Sequence, residues 1–208
     1  HRDLHVRSRR QRQMCIRDRD EAIDFINFYV REQAKLRLTQ KISPKGVVGV
    51  IAPWNFPLAI ACGMSVAPYI AGNNIILKPS EHTSLIGRKF SELLLAVGVK
   101  EETFAVVFGA AEAGKAIVEH ELLAGVVFTG SKNVGTQIFE KISGQPLHSA
   151  YGVRDVKFAI TEMGGKNAII VTNNSELDET VSGVIYSAFA HSGQKCSAAS
   201  RVIIDERL

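Results

Sequence analysis

Three side chains of this sequence have the types that the oxidation of an aldehyde through a covalent adduct requires. Cys196 can supply a thiolate nucleophile, and Glu162 can activate water as a general base. Asn55 can donate a hydrogen bond to an oxyanion. Because a thiol adduct of an aldehyde releases hydride readily and leaves a thioester that water cleaves, these residue types together could oxidise an aldehyde.

Each of these residues also has a purely structural interpretation. A lone cysteine is more often a buried, inert thiol than a nucleophile. Asn55 stands in a Pro-Trp-Asn-Phe-Pro segment typical of a turn between a strand and a helix, and Glu162 could pair with Lys166. Ser197 could be a capping hydroxyl. The motifs that accompany these residues decide between the two interpretations.

Short apolar runs alternate with helical patterns and predict the elements that hold these residues. Strands are predicted at 47–51, 74–77, 103–107 and 125–128. Helices are predicted at 58–71, 83–97, 113–120 and 132–142. This alternation predicts an α/β fold in which helices cover both faces of a Rossmann-like parallel sheet.

The remaining segment continues this pattern after an interruption. Residues 143–155 contain Gly144, Pro146 and Gly152 without a clear period, which predicts a loop between a helix and a strand. Strands are then predicted at 158–160, 168–171 and 202–204, with a helix at 176–190. Since the alternation has not closed at the last residue, we expect the fold to be incomplete.

The distribution of charge narrows the classes of partner. The formal net charge is +4, and positions 1–20 hold seven of the 25 Lys and Arg residues but three of the 21 Asp and Glu residues. The remainder is therefore neutral, which argues against nucleic acid as a partner. We interpret residues 1–20 as a non-native basic tail that looks like translated sequencing adapter, with a native basic arm as the alternative.

Cysteine content and hydropathy limit the compartments in which the protein is expected. The three cysteines have no framework spacing, and the sequence has no CxxC pair or His cluster, so we expect reduced thiols, a cytoplasmic location and no metal. The apolar run at 60–70 is interrupted by Gly63, Ser65 and Pro68, so no membrane segment is expected.

Two further motifs are suited to a dinucleotide. Lys78-Pro79-Ser80-Glu81 and Phe128-Thr129-Gly130-Ser131 each follow a predicted strand and precede a predicted helix, which places them at the carboxyl edge of the sheet. A helix N-terminus at Ser131 favours an anion. Gly109 and Gly114 could also approach a cofactor, or form an ordinary turn and helix start. The GxGxxG fingerprint is absent.

The order of these motifs resembles that of the aldehyde dehydrogenase superfamily from about residue 21 to the last residue. The resemblance rests on Pro53-Trp54-Asn55-Phe56-Pro57, the two dinucleotide motifs, Glu162-Met163-Gly164-Gly165-Lys166-Asn167 and Gly193-Gln194-Lys195-Cys196-Ser197. It implies that Cys196 is the nucleophile and that Glu162, 34 positions earlier, activates the hydrolytic water. Asn55 and the backbone N–H of Cys196 would form the oxyanion hole.

The resemblance also implies NAD as cofactor. Lys78 and Glu81 would hold the adenosine ribose hydroxyls, and the carboxylate of Glu81 would disfavour the 2′-phosphate of NADP. The complete implied set of cofactor-binding residues is Ile51, Pro53, Trp54, Lys78, Ser80, Glu81, Gly109, Gly114, Phe128, Thr129, Gly130, Ser131, Val134, Met163 and Gly164.

Finer features are similar to the 1-pyrroline-5-carboxylate (glutamate γ-semialdehyde) dehydrogenases, including the dehydrogenase half of bifunctional proline-utilisation proteins. The spacing of 32 positions from Gly130 to Glu162 is long for the superfamily. In this group Ser197 would hold the substrate carboxylate and Phe56 would pack on its aliphatic chain. The alternatives are another semialdehyde or aldehyde dehydrogenase, or a non-catalytic dinucleotide-binding derivative.

The resemblance predicts two incomplete domains. Residues 21–163 would belong to an NAD-binding domain and 164–208 to the start of a catalytic domain. The superfamily's downstream glutamate motif for the nicotinamide ribose and its C-terminal oligomerisation strand have no counterpart before Leu208. We therefore expect these 208 residues alone to show little or no turnover, and the full-length parent to be a homo-oligomer.

Overall fold

The computed structural model describes residues 2–149 and 152–208. Its contacts divide the chain into two compact units, His1–Glu162 and Met163–Leu208, which are called the first and second unit below. Across the described residues, no helix combines the length and the apolar character that crossing a bilayer requires.

The first unit contains five α-helices and seven β-strands within its described residues. The helices are α1 (Arg2–Thr39), α2 (Ala59–Ile70), α3 (Ser84–Ala96), α4 (Ala111–Glu119) and α5 (Lys132–Ile142). The strands are β1 (Val47–Ile51), β2 (Asn74–Lys78), β3 (Phe104–Val106), β4 (Leu123–Thr129), β5 (Pro146–Ser149), β6 (Gly152–Val156) and β7 (Phe158–Glu162). A 3₁₀ turn, Glu81–Thr83, precedes α3.

Five of these strands form a parallel sheet in the order β3-β2-β1-β4-β7. After β1 the chain adds β2 and β3 on one side, and then crosses over to add β4 and β7 on the other. The strand order therefore reverses beside β1, which is where open α/β sheets leave a crevice for ligands. The predicted α/β fold with a parallel sheet is confirmed.

Apolar side chains fill both faces of this sheet, because successive residues of a strand point to opposite sides. One cluster joins β1 and β2 to α1, α2 and α3, and its members include Ala22, Val48, Val50, Ala59, Cys62, Val66, Leu77 and Phe90. The other joins β4 to α4 and α5, and its members include Ile117, Val118, Val126, Phe128, Ile138 and Ile142. Helices on both faces are thus also confirmed.

Helix α1 includes most of the basic tail, residues 1–20, for which the sequence predicts no helix or strand. Among the side chains of this part of α1 that the structure describes, Met14 and Ile16 are exposed and mark no buried apolar face. Nevertheless the Asp18 carboxylate accepts hydrogen bonds from the N–H groups of Leu58, at 3.0 Å, and Ala59, at 2.8 Å. Asp18 therefore caps the start of α2 and favours it electrostatically. The non-native origin of residues 1–20 remains a prediction.

The prediction of a loop at 143–155 is wrong in part, since β5 and β6 form an antiparallel ribbon there. Leu147 is buried, and the Lys45 Nζ lies 2.5 Å from an oxygen of Asp155. Each strand is too short to show a strand period among the glycines and the proline, so only pairing between the two segments defines the ribbon.

The second unit contains β8 (Asn167–Val171), α6 (Leu177–Phe189), a turn at Ala190–Gly193 and β9 (Ala199–Ile204). β8 and β9 are parallel neighbours. Residues of β8, α6, β9 and the last position line an apolar cavity of about 360 Å³: Val171, Leu177, Thr180, Val181, Val184, Ile185, Val202, Ile204 and Leu208. The strands and the helix predicted here are confirmed.

Candidate active site

The carboxyl edge of the five-stranded sheet collects most of the predicted site residues of the first unit. In the strand register Ile51 lies between Lys78 on β2 and Phe128 on β4, and Thr129 pairs with Glu162 on β7. Neighbouring strands are roughly 4.8 Å apart, so Lys78 and Glu162 start loops only about 15 Å from each other. The tertiary structure thus brings strand ends that are up to 111 positions apart in sequence, Ile51 and Glu162, to one edge.

The loop after β1 carries Asn55 and is held at both ends. At its start the Ala52 N–H donates to the Lys78 carbonyl oxygen at 3.0 Å, and at its end Asp18 caps the first residues of α2. Asn55 itself is half-buried, whereas Trp54 is 47% exposed. A loop held in this way presents the Asn55 amide from a fixed backbone.

Phe56, the predicted neighbour of a substrate chain, packs in the apolar cluster around α2. Only 8% of its surface is exposed. Within the first unit it therefore serves the core, and its contact with a substrate remains a prediction.

Lys78 is a buried cation at the end of β2, with 5% of its surface exposed. Its Nζ donates to the Pro79 carbonyl oxygen at 3.2 Å and lies 3.8 Å from an oxygen of Glu81. Burial lowers the pKa of Lys78, and the nearby Glu81 carboxylate partly opposes that shift. An ammonium has three donors, and the Pro79 carbonyl oxygen accepts from one of them. The buried ammonium is therefore suited to a polar ligand.

The turn after Lys78 is also ordered. Ser80 begins the 3₁₀ turn, and its hydroxyl accepts a hydrogen bond from the His82 N–H at 3.4 Å. The exposed Glu81 carboxylate has a pKa below its ordinary value, because its own backbone N–H hydrogen-bonds to it and the Lys78 ammonium lies nearby. Glu81 is therefore an anion that a ribose hydroxyl could reach.

Two glycines follow β3, and the second of them packs beside this lysine. Gly109 has a φ of +148°, a conformation that side chains disfavour. A Cβ at Gly114 would lie 3.7 Å from the Cδ of Lys78, so α4 packs directly over the lysine stem. Both the cofactor interpretation of this pair and the interpretation as an ordinary turn and helix start remain predictions.

Ser131 is the N-cap of α5, as its place before a helix predicts. Its hydroxyl accepts from the N–H of Val134 at 3.4 Å, and its carbonyl accepts from Gly135 at 2.9 Å. The N–H groups of Lys132 and Asn133 belong to the first turn, where a helix has no acceptors of its own. Helix α5 can therefore present donors and its positive dipole end to an anion.

Glu162 is the last residue of β7 and has an exposed side chain. Its carbonyl oxygen accepts a hydrogen bond from the Gly130 N–H at 3.1 Å, so its backbone is tied to the loop after β4. Thr129, on the same β4 end, donates from its hydroxyl to the sulfur of Met64 at 2.9 Å. The carboxylate of Glu162 is thus available to water from a fixed main chain.

Cys196 belongs to the second unit and is exposed. This exposure argues against the buried, inert thiol that a lone cysteine favours. The preceding turn contains three consecutive residues in the left-handed region, His191 at φ 59°, Ser192 at 56° and Gly193 at 72°. Left-handed backbone is costly for residues other than glycine and often accompanies functional loops.

Two residues that the sequence analysis left without a role contact the backbone of this cysteine. The Asn167 Nδ2 donates to the Cys196 carbonyl oxygen at 2.8 Å, and a Cβ on Gly165 would lie 2.5 Å from that oxygen. An amide at the start of a strand that follows a glycine pair is the signal that could have identified them.

The other predicted residues of the second unit are Met163, Gly164 and Ser197. Met163 is half-buried, Ser197 is exposed, and a Cβ on Gly164 would meet nothing within 4 Å. Their cofactor and substrate roles remain predictions, as do the roles of Asn55, Glu162 and Cys196 in one reaction.

Comparison with known proteins identifies relatives of this chain by sequence. The chain is 38% identical to 1-pyrroline-5-carboxylate dehydrogenase 1 of Halalkalibacterium halodurans over 201 residues, covering 90% of this chain and 38% of that protein. It is 39% identical over 203 residues to the 1-pyrroline-5-carboxylate dehydrogenase of Bacillus subtilis (strain 168), covering 91% of this chain and 38% of that protein. The chain therefore spans less than two fifths of the length of these relatives.

Solved structures lead to the same group. The crystal structure of 1-pyrroline-5-carboxylate dehydrogenase from Thermus with bound NAD matches with a TM-score of 0.82 and 38% identity, over 91% of this chain and 39% of that one. Proline utilization A from Bdellovibrio bacteriovorus matches with a TM-score of 0.81 and 40% identity, over 91% of this chain and 21% of that one. The sequence model of the aldehyde dehydrogenase family matches residues 9–208. The chain therefore belongs to the aldehyde dehydrogenase family.

Proposed function

We propose that the parent of this chain is an NAD-dependent dehydrogenase that oxidises glutamate γ-semialdehyde, the open form of 1-pyrroline-5-carboxylate, to glutamate. The observation that carries this proposal is the 38% identity to a 1-pyrroline-5-carboxylate dehydrogenase over 90% of the chain. The long spacing from Gly130 to Glu162, occupied here by the β5–β6 ribbon, supports the same subgroup.

In the proposed reaction Cys196 is the nucleophile. Its thiolate adds to the aldehyde carbon, which forms an S–C bond and an oxyanion that the Asn55 amide and the Cys196 N–H stabilise. Loss of hydride from that carbon leaves a thioester on Cys196. Glu162 then takes a proton from water, the water oxygen attacks the thioester carbon, and the S–C bond breaks to release carboxylate and thiolate.

The residues at the sheet edge fit a dinucleotide. The buried Lys78 ammonium and the Glu81 carboxylate offer a donor and an acceptor to ribose hydroxyls, and the N-terminus of α5 offers donors to a pyrophosphate. Gly109 has a φ of +148°, and a Cβ there would lie 2.8 Å from the Cβ of Ala113, so the turn before α4 requires glycine. NAD bound there would supply the hydride acceptor, and the carboxylate of Glu81 would disfavour a 2′-phosphate.

Substrate selection is proposed to involve Ser197 and Phe56. The exposed hydroxyl of Ser197, next to the nucleophile, is suited to a substrate carboxylate, and Phe56 would limit the space around the aliphatic chain. These two residues would distinguish glutamate γ-semialdehyde from aldehydes that lack its amino and carboxyl groups.

A substrate comparison with the full-length parent tests the proposal. With NAD in excess, kcat/KM for 1-pyrroline-5-carboxylate should exceed that for succinic semialdehyde at least about tenfold, as measured by NADH absorbance. Glutamate γ-semialdehyde has five carbons and an amino group, whereas succinic semialdehyde has four carbons and none, so the comparison reports chain length and the amino group together. A preference for succinic semialdehyde would indicate another aldehyde dehydrogenase, and no NADH with any aldehyde would indicate a non-catalytic derivative.

Replacing Lys78 with methionine should raise stability while weakening NAD binding. The change removes a buried ammonium, so the free energy of unfolding of the 208-residue chain at pH 7 should rise by about 1 kcal/mol. Affinity for NAD should fall about tenfold, because a charge-assisted hydrogen bond to the ribose is lost. Urea titration and calorimetric NAD titration measure the two effects.

The pH dependence of that stability gain follows from the lowered pKa of Lys78. Below this pKa the protonated amine destabilises the fold, and the penalty disappears as the pH rises through it toward the ordinary lysine value. The advantage of Lys78→Met should therefore shrink in alkaline buffer. Lys89→Met, at an exposed position on α3, is the control and should change neither quantity. A variant less stable than the original chain at pH 7 would contradict the prediction.

A reducing, cytoplasmic compartment is proposed for the parent. Cys15, Cys62 and Cys196 are all free thiols, which persist where disulfides are reduced. A homo-oligomeric parent remains a prediction from the resemblance.

A further inference from the structure

The side chain of Asn167 bridges two backbone carbonyl groups, that of the candidate nucleophile and that of the second residue after it. Asn167 is the first residue of β8, and its Nδ2 donates to the carbonyl oxygens of Cys196, at 2.8 Å, and of Ala198, at 3.4 Å. The Ser200 hydroxyl in turn donates to the Asn167 carbonyl oxygen at 3.4 Å. One amide thus holds the chain on both sides of Ser197.

A second hydrogen bond fixes the peptide on the other side of the cysteine. The Ala198 N–H donates to the Lys195 carbonyl oxygen at 3.1 Å, and that carbonyl shares a peptide plane with the Cys196 N–H. Asn167 fixes the next plane, which contains the Cys196 carbonyl. With both planes held, the φ and ψ of Cys196 are held, and so are the directions of its N–H and its Cα–Cβ bond.

The fit around this amide is close. A Cβ on Gly165 would lie 2.5 Å from the Cys196 carbonyl oxygen and 2.7 Å from the Asn167 Nδ2. Any side chain at position 165 would therefore displace the amide or the carbonyl that it holds. The hydrogen bond from Asn167 to the Cys196 carbonyl therefore requires glycine at position 165.

We propose that Asn167 is a positioning residue for acyl transfer at Cys196, and that its Nδ2 hydrogen bonds keep the Cys196 N–H directed at the developing oxyanion. The inference rests on the proposed function, in which Cys196 is the nucleophile. Asn167 itself touches neither substrate nor reacting atoms. Its effect should therefore appear in reactions that need an oxyanion donor, and not in reactions that need only a thiolate.

Two reagents separate these requirements in the 208-residue chain. p-Nitrophenyl acetate transfers its acetyl group to the thiolate through a tetrahedral oxyanion: the S–C bond forms, the ester C–O bond breaks, and p-nitrophenolate leaves. Iodoacetamide alkylates the same thiolate by displacement of iodide, without an oxyanion. Mass spectrometry of the Cys196 peptide gives both rate constants, and their ratio reports the oxyanion donors alone.

The informative variant is Asn167→Asp, which keeps the shape of the side chain and loses the donor. The ratio of acetylation to alkylation at Cys196 should fall at least about tenfold, a part of the loss that follows removal of an oxyanion donor. Because a carboxylate also repels a nearby oxyanion, Asn167→Leu, which removes the donor without adding a charge, is measured beside it and should lower the ratio as well. Gly165→Ala should lower the ratio in the same direction.

Controls within the chain separate this effect from unfolding. Asn174→Asp makes the same chemical change elsewhere in the second unit, where the side-chain oxygen accepts from Thr172, and should leave the ratio unchanged. Cys62 is buried, and its pKa is raised to about 12, so its alkylation reports unfolding. Cys15 is an exposed reference thiol.

Two results would overturn the proposal. In the first, Asn167→Asp leaves the ratio within about twofold of the original chain, or both rates fall in parallel; the proposed function then stands and only the role of Asn167 fails. In the second, the unmodified chain shows the same ratio at Cys196 as at Cys15. The chain then has no oxyanion site at Cys196 and the proposal for Asn167 fails, whereas the proposed function is decided separately by the substrate comparison with the full-length parent.

Discussion

Aldehyde oxidation by the parent enzyme should fall by a factor of at least about 10⁴ in kcat when Cys196 is replaced with alanine. The reason is that the S–C bond makes hydride loss feasible, and alanine has no sulfur with which to form that bond. Substrate and NAD would still bind, so KM and the NAD dissociation constant should change little. NADH formation under steady-state conditions and calorimetric NAD titration measure the two quantities.

Cys62→Ala is the matched control for this variant. Cys62 is a buried thiol of α2 whose Sγ donates a weak hydrogen bond to the Ala22 carbonyl oxygen at 3.6 Å, so its loss affects that bond and the packing around α2. That variant should keep its kcat and lose a little stability. Retention of more than a tenth of the original kcat by Cys196→Ala would remove the cysteine from the mechanism, and with it the proposed function.

Replacing Glu162 with glutamine should stop the reaction after one turnover of hydride transfer. The amide keeps the shape of the side chain but cannot take a proton from water, so the thioester on Cys196 should accumulate. A burst of NADH equal to the enzyme concentration should precede a steady-state rate lowered about 10²- to 10⁴-fold. Rapid-mixing absorbance records the burst, and intact mass of acid-quenched enzyme identifies the thioester.

Glu140→Gln removes an exposed carboxylate from α5 and serves as the control, with no expected change in burst or steady state. The size of the burst separates two roles for Glu162. If the burst itself slows as much as the steady state, Glu162 acts before hydride transfer, and its assignment as the base for thioester hydrolysis is wrong.

Most elements of the fold could be predicted from local pattern. The helix predicted at 132–142 and the strand predicted at 47–51 have the observed bounds, because each is buried on a face that its apolar spacing marks. The first half of α1 and the β5–β6 ribbon could not be predicted in this way. The described side chains in that half of α1 show little burial, and the ribbon exists only through pairing between its two strands.

The candidate site divides along the same line. Residue types made Cys196, Glu162 and Asn55 candidates, and the order of the accompanying motifs, through the family resemblance, selected them as the predicted catalytic residues. Asn167 was not identified, because its side chain donates to the carbonyl oxygen of a residue 29 positions later. Every residue has such a carbonyl, so the sequence does not show which one accepts the hydrogen bond. Only the packing of β8 beside β9 brings the amide to the cysteine turn.

The sequence by itself determined the chemistry available to this chain and the alternation that makes an α/β sheet, because both depend on side-chain type and local spacing. Tertiary structure decided which of these groups share an edge, since parallel pairing of β2, β1, β4 and β7 aligns strand ends that are distant along the chain. It also decided the burial of Lys78 and the exposure of Cys196. Burial and backbone hydrogen bonds depend on neighbours from elsewhere in the chain, which no local pattern specifies.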